Sequence, residues 1–178
     1  SQSLQGCDEI LAIFAEVFRD WNAEIVGADH YPQQAVITLT GYQGGYLRSS
    51  RWLEAPVFHE DALDAVCDFS VDYFHAYVAD NPGVLCLHAA AVRLGDGLMV
   101  FPAFYKSGKS LFCAHLAWLG VELFTDDALP LTPNDNMGVA MGVCPRLRVP
   151  LPENVDEGFR TFVSDNIAKV NQQYCYLK

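Results

Sequence analysis

Ala103-Phe104-Tyr105-Lys106-Ser107-Gly108-Lys109-Ser110 is the stretch on which the reading of this chain turns. It matches the phosphate-binding loop pattern G-x-x-x-x-G-K-[ST] at every fixed position but the first, where Ala103 replaces Gly. The pattern has a mechanical basis. Successive backbone N–H groups of a tight loop wrap a phosphate, and the helix that the loop opens favours negative charge at its N-terminus. The Lys ammonium reaches the outer phosphates and the Ser hydroxyl ligates magnesium. The neighbouring sequence has the matching order. Leu98-Met99-Val100-Phe101 is an uncharged apolar run, as expected of a buried strand. Leu111, Phe112, Ala114, Leu116, Ala117 and Trp118 continue with helix-like apolar density up to Gly120, a helix terminator, and Val121-Glu122-Leu123-Phe124 reads as the next strand. Strand, loop, helix, strand is the order such a loop requires. The ordinary alternative is a chance Gly-Lys-Ser at a helix start, with a solvated Lys109 and a capping Ser110.

Composition narrows the partners. The 178 residues suffice for one substantial domain or two small ones, and 51% hydrophobic content argues for a packed core. The net charge of −11 and the absence of any Lys or Arg between Arg51 and Arg93 deny a nucleic acid or an anionic membrane surface its basic footprint. No apolar run has the length of a membrane span, and Ser1-Gln2-Ser3-Leu4 does not open a signal peptide. The six cysteines are scattered without a C-x-x-C pair, the pattern of reduced buried thiols in a cytoplasmic protein.

Periodicity predicts the rest of the chain. Asp8 to Trp21 reads as an amphipathic helix, Ala35 to Thr40 as a strand, Gly41 to Gly45 as a turn and Tyr46 to Arg48 as the returning strand. Glu60 to Ala79 reads as a second helix, stopped by Asn81-Pro82-Gly83. Val84 to Leu94 reads as a strand, with Gly95-Asp96-Gly97 turning the chain toward the loop. Pro130 and residues 132–138 read as loop, and Val139 to Val149 as a strand broken at Pro145. Asn154 to Glu157 resembles a capping box that opens a helix to about Val170, and Tyr174 to Leu177 reads as a last strand. The expected fold is α/β, with an N-terminal α+β module over 1–82 and a mixed-sheet nucleotide-binding core over 83–178.

Leu87-His88-Ala89-Ala90-Ala91-Val92, Gly95-Asp96-Gly97, the phosphate loop, and Gly120 to Leu131 with Asp126-Asp127 resemble, in this order, the catalytic core of the HPr kinase/phosphorylase-like superfamily. The bacterial HPr-kinase-related proteins are the more specific likeness. The resemblance covers about residues 84 to 131. It implies a phosphoenolpyruvate-carboxykinase-like fold, ATP and Mg²⁺, and a hydroxyl acceptor on a protein, a peptide or a small molecule. It implies that Lys109 binds the β- and γ-phosphates and that Ser110 ligates magnesium. Gly108 and the backbone from Ala103 through Phe104, Tyr105 and Lys106 to Ser107 would form the anion nest. His88 would lie near the transferred phosphate. Asp126 and Asp127 would divide the base and metal-side roles, with Asp127 beside Ser110 as a metal ligand. Members of the superfamily continue further, so the resemblance also implies a core shortened at its C-terminus.

Two residue readings stand beside the resemblance. Lys106 is a further cation for phosphate. Arg146 and Arg148 alternate around Leu147 and share one face of a strand, to clamp a phosphate or an acidic acceptor or simply to meet solvent. The expected activity is an ATP-dependent, magnesium-requiring kinase. The second hypothesis is a nucleotide-binding or regulatory module without catalysis, favoured by Ala103 and the bulky Phe104-Tyr105-Lys106 tip. A GTPase is disfavoured because no N-K-x-D motif occurs. Homo-oligomerisation stays open.

Overall fold

Helix α1 (Asp8–Val17) forms because Ile10, Ile13 and Val17 recur at helical spacing, and all three are buried. In this computed structural model residues 8–19, 35–102, 104 and 107–178 are described. The expectations for Trp21, Ala103, Tyr105 and Lys106 lie outside them. The chain divides into two compact units, Ser1–Asp80 and Asn81–Lys178.

In the first unit, β1 (Ile37–Tyr42), β2 (Gly45–Ser50) and β3 (Val57–His59) form one antiparallel sheet in that order. Helix α2 (Ala62–Asp80) buries Leu63, Val66 and Cys67, and Phe69 meets Phe14 of α1 edge to face at 4.8 Å. The strand β3 had no sequence signal, because three residues are too few for a period.

The second unit is built around β4 (Leu85–Leu94). Its C-terminal half pairs with β5 (Gly97–Pro102) through a two-residue turn at Gly95-Asp96. Its other edge carries two short strands end to end, β6 (Leu123–Thr125) against Ala91 and Val92, and β7 (Ala128–Thr132) against Leu85 to His88. Asp126-Asp127 is the interruption between them. The two-residue strand β8 (Met137–Gly138) extends the sheet beyond β7. Every strand pair among the described residues is antiparallel, where a mixed sheet was expected. The reason is topological. Both β5 and β6 run against β4, so they are parallel to one another, but β4 lies between them and keeps them from pairing.

Helix α3 (Lys109–Trp118) connects β5 to β6. Its Cys113 and Leu116 pack on Ala90, Val92 and Phe101 of the large sheet. Its Ala114 and Leu111 pack on Leu147, Phe159 and Cys175. The latter residues belong to β9 (Arg146–Arg148), α4 (Glu157–Asp165) and β11 (Tyr174–Leu177), which with β10 (Ile167–Val170) form a second sheet in the order β10-β11-β9 and its covering helix. A helix enclosed on two sides needs apolar residues around most of its girth, which explains the density noted in the sequence.

Three expectations are corrected. The helix read to about Val170 ends at Asp165, and its cap is Asp156, whose carboxylate accepts from the N–H groups of Gly158 and Phe159. Ile167 to Val170 is the strand β10. Pro130 lies buried inside β7, paired with Cys86. Its carbonyl accepts from the Val139 N–H at 2.8 Å, so its missing N–H faces away from β4 and that ladder loses nothing. Of the run read over Val139 to Val149, only Arg146–Arg148 is strand. Among the described residues no helix is long and apolar enough to cross a membrane.

Candidate functional site

Gly108 caps α3 in the left-handed region, at φ 90° and ψ 9°, with no side-chain cap. Glycine adopts this conformation without the steric cost that a Cβ brings. Before it, the Ser107 N–H bonds to the Phe104 carbonyl at 3.2 Å, and the chain then enters the helix through Lys109 and Ser110. The first N–H groups of α3 have no partner within the helix, so this end carries partial positive charge.

His88 reaches the same end from β4. Side chains alternate along a strand, so His88 shares a face with Ala90 and Val92, the face that α3 covers. It lies one step beyond the covered residues, beside the first turn of α3. Its Nε2 is 3.0 Å from Asp127 Oδ1 and 3.2 Å from Lys109 Nζ. One ring nitrogen cannot serve both partners in one tautomer. With a proton on Nε2 it donates to Asp127; without one it accepts from Lys109. His88 therefore sits at a junction where a proton can change hands.

The two aspartates are separated by burial. Asp126 is 7% exposed. Its Oδ2 accepts from the Arg146 backbone N–H at 3.0 Å, and the carboxylate also accepts from the Ser110 hydroxyl. Burial raises its pKa to about 6; the Arg146 N–H opposes this, the Asp127 charge adds to it, and the Arg146 guanidinium and Ser110 oppose it. Beneath it, burial and then the Asp126 charge push the Cys113 thiol up to about 11 against the pull of Lys109, so that sulfur stays protonated at neutral pH. Asp127, in contrast, is half-exposed, held by His88 on one oxygen and 3.8 Å from the Arg146 guanidinium on the other.

His88 and Asp127 border a pocket of about 330 Å³, and the buried Asp126 and Cys113 lie behind its lining. Ser107, Gly108, Lys109 and Ser110 line one side, and Arg146, Arg148 and Tyr174 line another. His88, Lys109, Ser110, Asp126 and Asp127 are thus brought together from three segments. Phe104 is not part of the pocket lining and is 92% exposed. Phe112, one of the apolar residues of the predicted helix, is half-exposed with its ring against Phe101. Tyr174 had no functional signal in the sequence. It enters the site only because β11 pairs Tyr174 with Arg148. Among the described residues no three His, Cys, Asp or Glu side chains form a metal-binding group.

Comparison of the chain with protein-family models, with curated proteins and with solved structures finds no match in any of the three.

Proposed function

We propose that the second unit binds ATP with Mg²⁺ and transfers the terminal phosphoryl group to a hydroxyl acceptor, in the manner of the HPr-kinase-like enzymes it resembles. The observation that carries this reading is the meeting of His88, Lys109, Ser110 and the Asp126-Asp127 pair around the N-terminus of α3. A chance Gly-Lys-Ser at a helix start would not bring a histidine from β4 and two acids from the β6–β7 break to the same point.

Each residue has work suited to its surroundings. The α3 N-terminus and Lys109 take the outer phosphates, Lys109 leaving His88 to do so. Ser110 and Asp126 are hard oxygen donors already in contact, and they suit Mg²⁺, which keeps several waters and needs few protein ligands. That no third such donor joins them among the described residues is no obstacle, because phosphate oxygens would complete such a site. When bound, Mg²⁺ supplies charge neutralisation across the outer phosphates. This redraws the expected metal pair from Ser110 with Asp127 to Ser110 with Asp126. Asp127 is then left to the acceptor. It accepts the acceptor's hydroxyl proton as that oxygen attacks the γ-phosphorus, while the bond to the bridging oxygen breaks and ADP departs. His88 orients Asp127 through the 3.0 Å contact and can take the proton onward.

Calorimetric titration with ATP, with and without Mg²⁺, tests binding; release of ADP in the presence of candidate acceptors tests transfer. Lys109→Ala should weaken MgATP roughly ten- to hundredfold, the loss expected for a charge-assisted contact. Binding without any turnover would favour the non-catalytic module, and no binding would exclude both.

A further inference from the structure

The chain has 22 acids against 11 Lys and Arg, yet the pocket has the opposite balance. Lys109, Arg146 and Arg148 line it, with Asp127 the single lining carboxylate among the described residues. Lys109 belongs to the phosphate loop. The two arginines do not, and their placement has its own structural basis.

Leu147, between them, is 1% exposed and pins β9 to the core, so both guanidinium groups project from the opposite face. Tyr174, across the ladder from Arg148, lies under both, with ring distances of 4.8 Å to Arg146 and 5.9 Å to Arg148. Its own backbone N–H is held by Asn171 Oδ1 at 2.9 Å. Stacking on a fixed ring organises planar guanidinium groups before any ligand arrives, and the fork geometry of arginine suits carboxylate and phosphate. Position separates this wall from the nucleotide end. The Arg146 guanidinium is beside Asp127 Oδ2 at 3.8 Å, and Arg148 lies two residues, roughly 6–7 Å, further along the strand.

We infer that Arg146 and Arg148, stacked on Tyr174, form an anion-binding wall on the acceptor side of the pocket, and that the acceptor is a hydroxy compound carrying its own carboxylate or phosphate. This rests on the phosphotransfer reading above. The anionic group pairs with Arg148, and Arg146 spans the gap to Asp127, where the hydroxyl is received. Arg148 is then a specificity-determining residue.

The test titrates inorganic phosphate and, separately, succinate into the full chain, its Lys109→Ala variant and its Arg148→Gln variant, with circular dichroism to confirm folding. One of the two anions should still bind Lys109→Ala, and its binding to Arg148→Gln should be at least tenfold weaker. Arg148→Lys should be intermediate, since it keeps the charge and loses the fork. Preference for phosphate identifies a phosphorylated acceptor, and preference for succinate a carboxylate one. Anion binding that disappears in Lys109→Ala and survives in Arg148→Gln would overturn the wall, as would no binding of either anion to the wild type. A non-hydrolysable MgATP analogue titrated in parallel reports on the phosphotransfer reading by itself. Its failure to bind would sink that reading, while dependence of anion binding on Arg148 would still decide the wall.

Discussion

In the first unit Arg48 and Asp72 face one another with side chains 7% and 4% exposed; in the second, His88 and Asp127 face one another at 3.0 Å with side chains 48% and 45% exposed. Each pair belongs to a larger group of charges. Asp68 and His59 attend Arg48, and Lys109 and Arg146 attend His88 and Asp127. The difference lies in what water and ligands can reach. Around Arg48 the pair with Asp72 is enclosed while Asp68 reaches solvent, and burial holds the His59 pKa down although Asp68 draws it up and Arg48 adds to the lowering. An enclosed pair cannot be released to a ligand without exposing an uncompensated charge to a low-dielectric interior. Around His88 the contacts are open, and Lys109 can exchange an imidazole for a phosphate at little cost. Charge gathered in the first unit holds that unit together. Charge gathered in the second is open to solvent and to a ligand.

The largest expected effect strikes the enclosed group. Asp72→Ala leaves Arg48 buried beside the half-exposed Asp68 alone, and should cost about 3–5 kcal/mol in urea unfolding. The double variant Arg48→Met with Asp72→Leu should recover most of that loss, because apolar side chains of similar size need no partner. An Asp72→Ala chain that lost less than 1 kcal/mol would erase the distinction drawn between the two groups.

Asp126 crosses the comparison, since it is buried like Asp72 yet adjoins the open site through Ser110 and Arg146. Its folded pKa of about 6 lies above the ordinary 3.8. Between those values the folded chain holds a proton that the unfolded chain has released. Its contribution to stability is therefore full below pH 3.8 and lost as pH rises through 6. Asp126→Asn keeps an acceptor for the Arg146 N–H, and its amide can donate to Ser110 in place of accepting. It should gain on the order of 2 kcal/mol at pH 8 without metal, lose that gain at pH 4, and bind MgATP more weakly. Chemical unfolding at the two pH values measures it. A destabilised Asp126→Asn at pH 8 would mean that the carboxylate supports the fold, as the acid in the first unit does.

Much of the open group was legible because its parts are punctuated locally. Gly108 must turn the chain where it stands, Lys109 and Ser110 follow it directly, and His88 and Asp126-Asp127 mark a strand and a strand break. The enclosed group left no such mark. Arg48, His59, Asp68 and Asp72 are spread over three elements, and nothing in their spacing predicts that they meet. The same holds for Tyr174 and Arg148, which only the β9–β11 register joins. Helix ends were read less well than helix existence. Asp156 takes the cap that Asn154 was expected to supply, because the helix begins at Glu157. The antiparallel insertion of β4 between β5 and β6 is a long-range choice that no local pattern encodes.

Two glycines carry the comparison down to single atoms. A Cβ on Gly45, in β2, would collide with the His59 carbonyl oxygen and the Phe58 ring, so Gly45→Ala is opposed by space and must shift the β2–β3 pairing. Among the described residues a Cβ on Gly108 would meet nothing within 4 Å. There the obstacle the described residues present is the φ of 90°, which costs an alanine roughly 1–2 kcal/mol. Gly108→Ala should therefore fold with a loss of about 1 kcal/mol in urea unfolding, the smallest change predicted here. The MgATP titration then gives the sharper reading. If the loop keeps its left-handed turn, the N–H groups of α3 still face the pocket and affinity falls less than threefold. If the backbone relaxes to negative φ to escape the strain, stability is regained and MgATP affinity drops at least tenfold. Either result ties the proposed phosphate site to the conformation of one residue. A variant that relaxed fully and bound MgATP as well as the wild type would show that the turn at Gly108 does not aim those N–H groups.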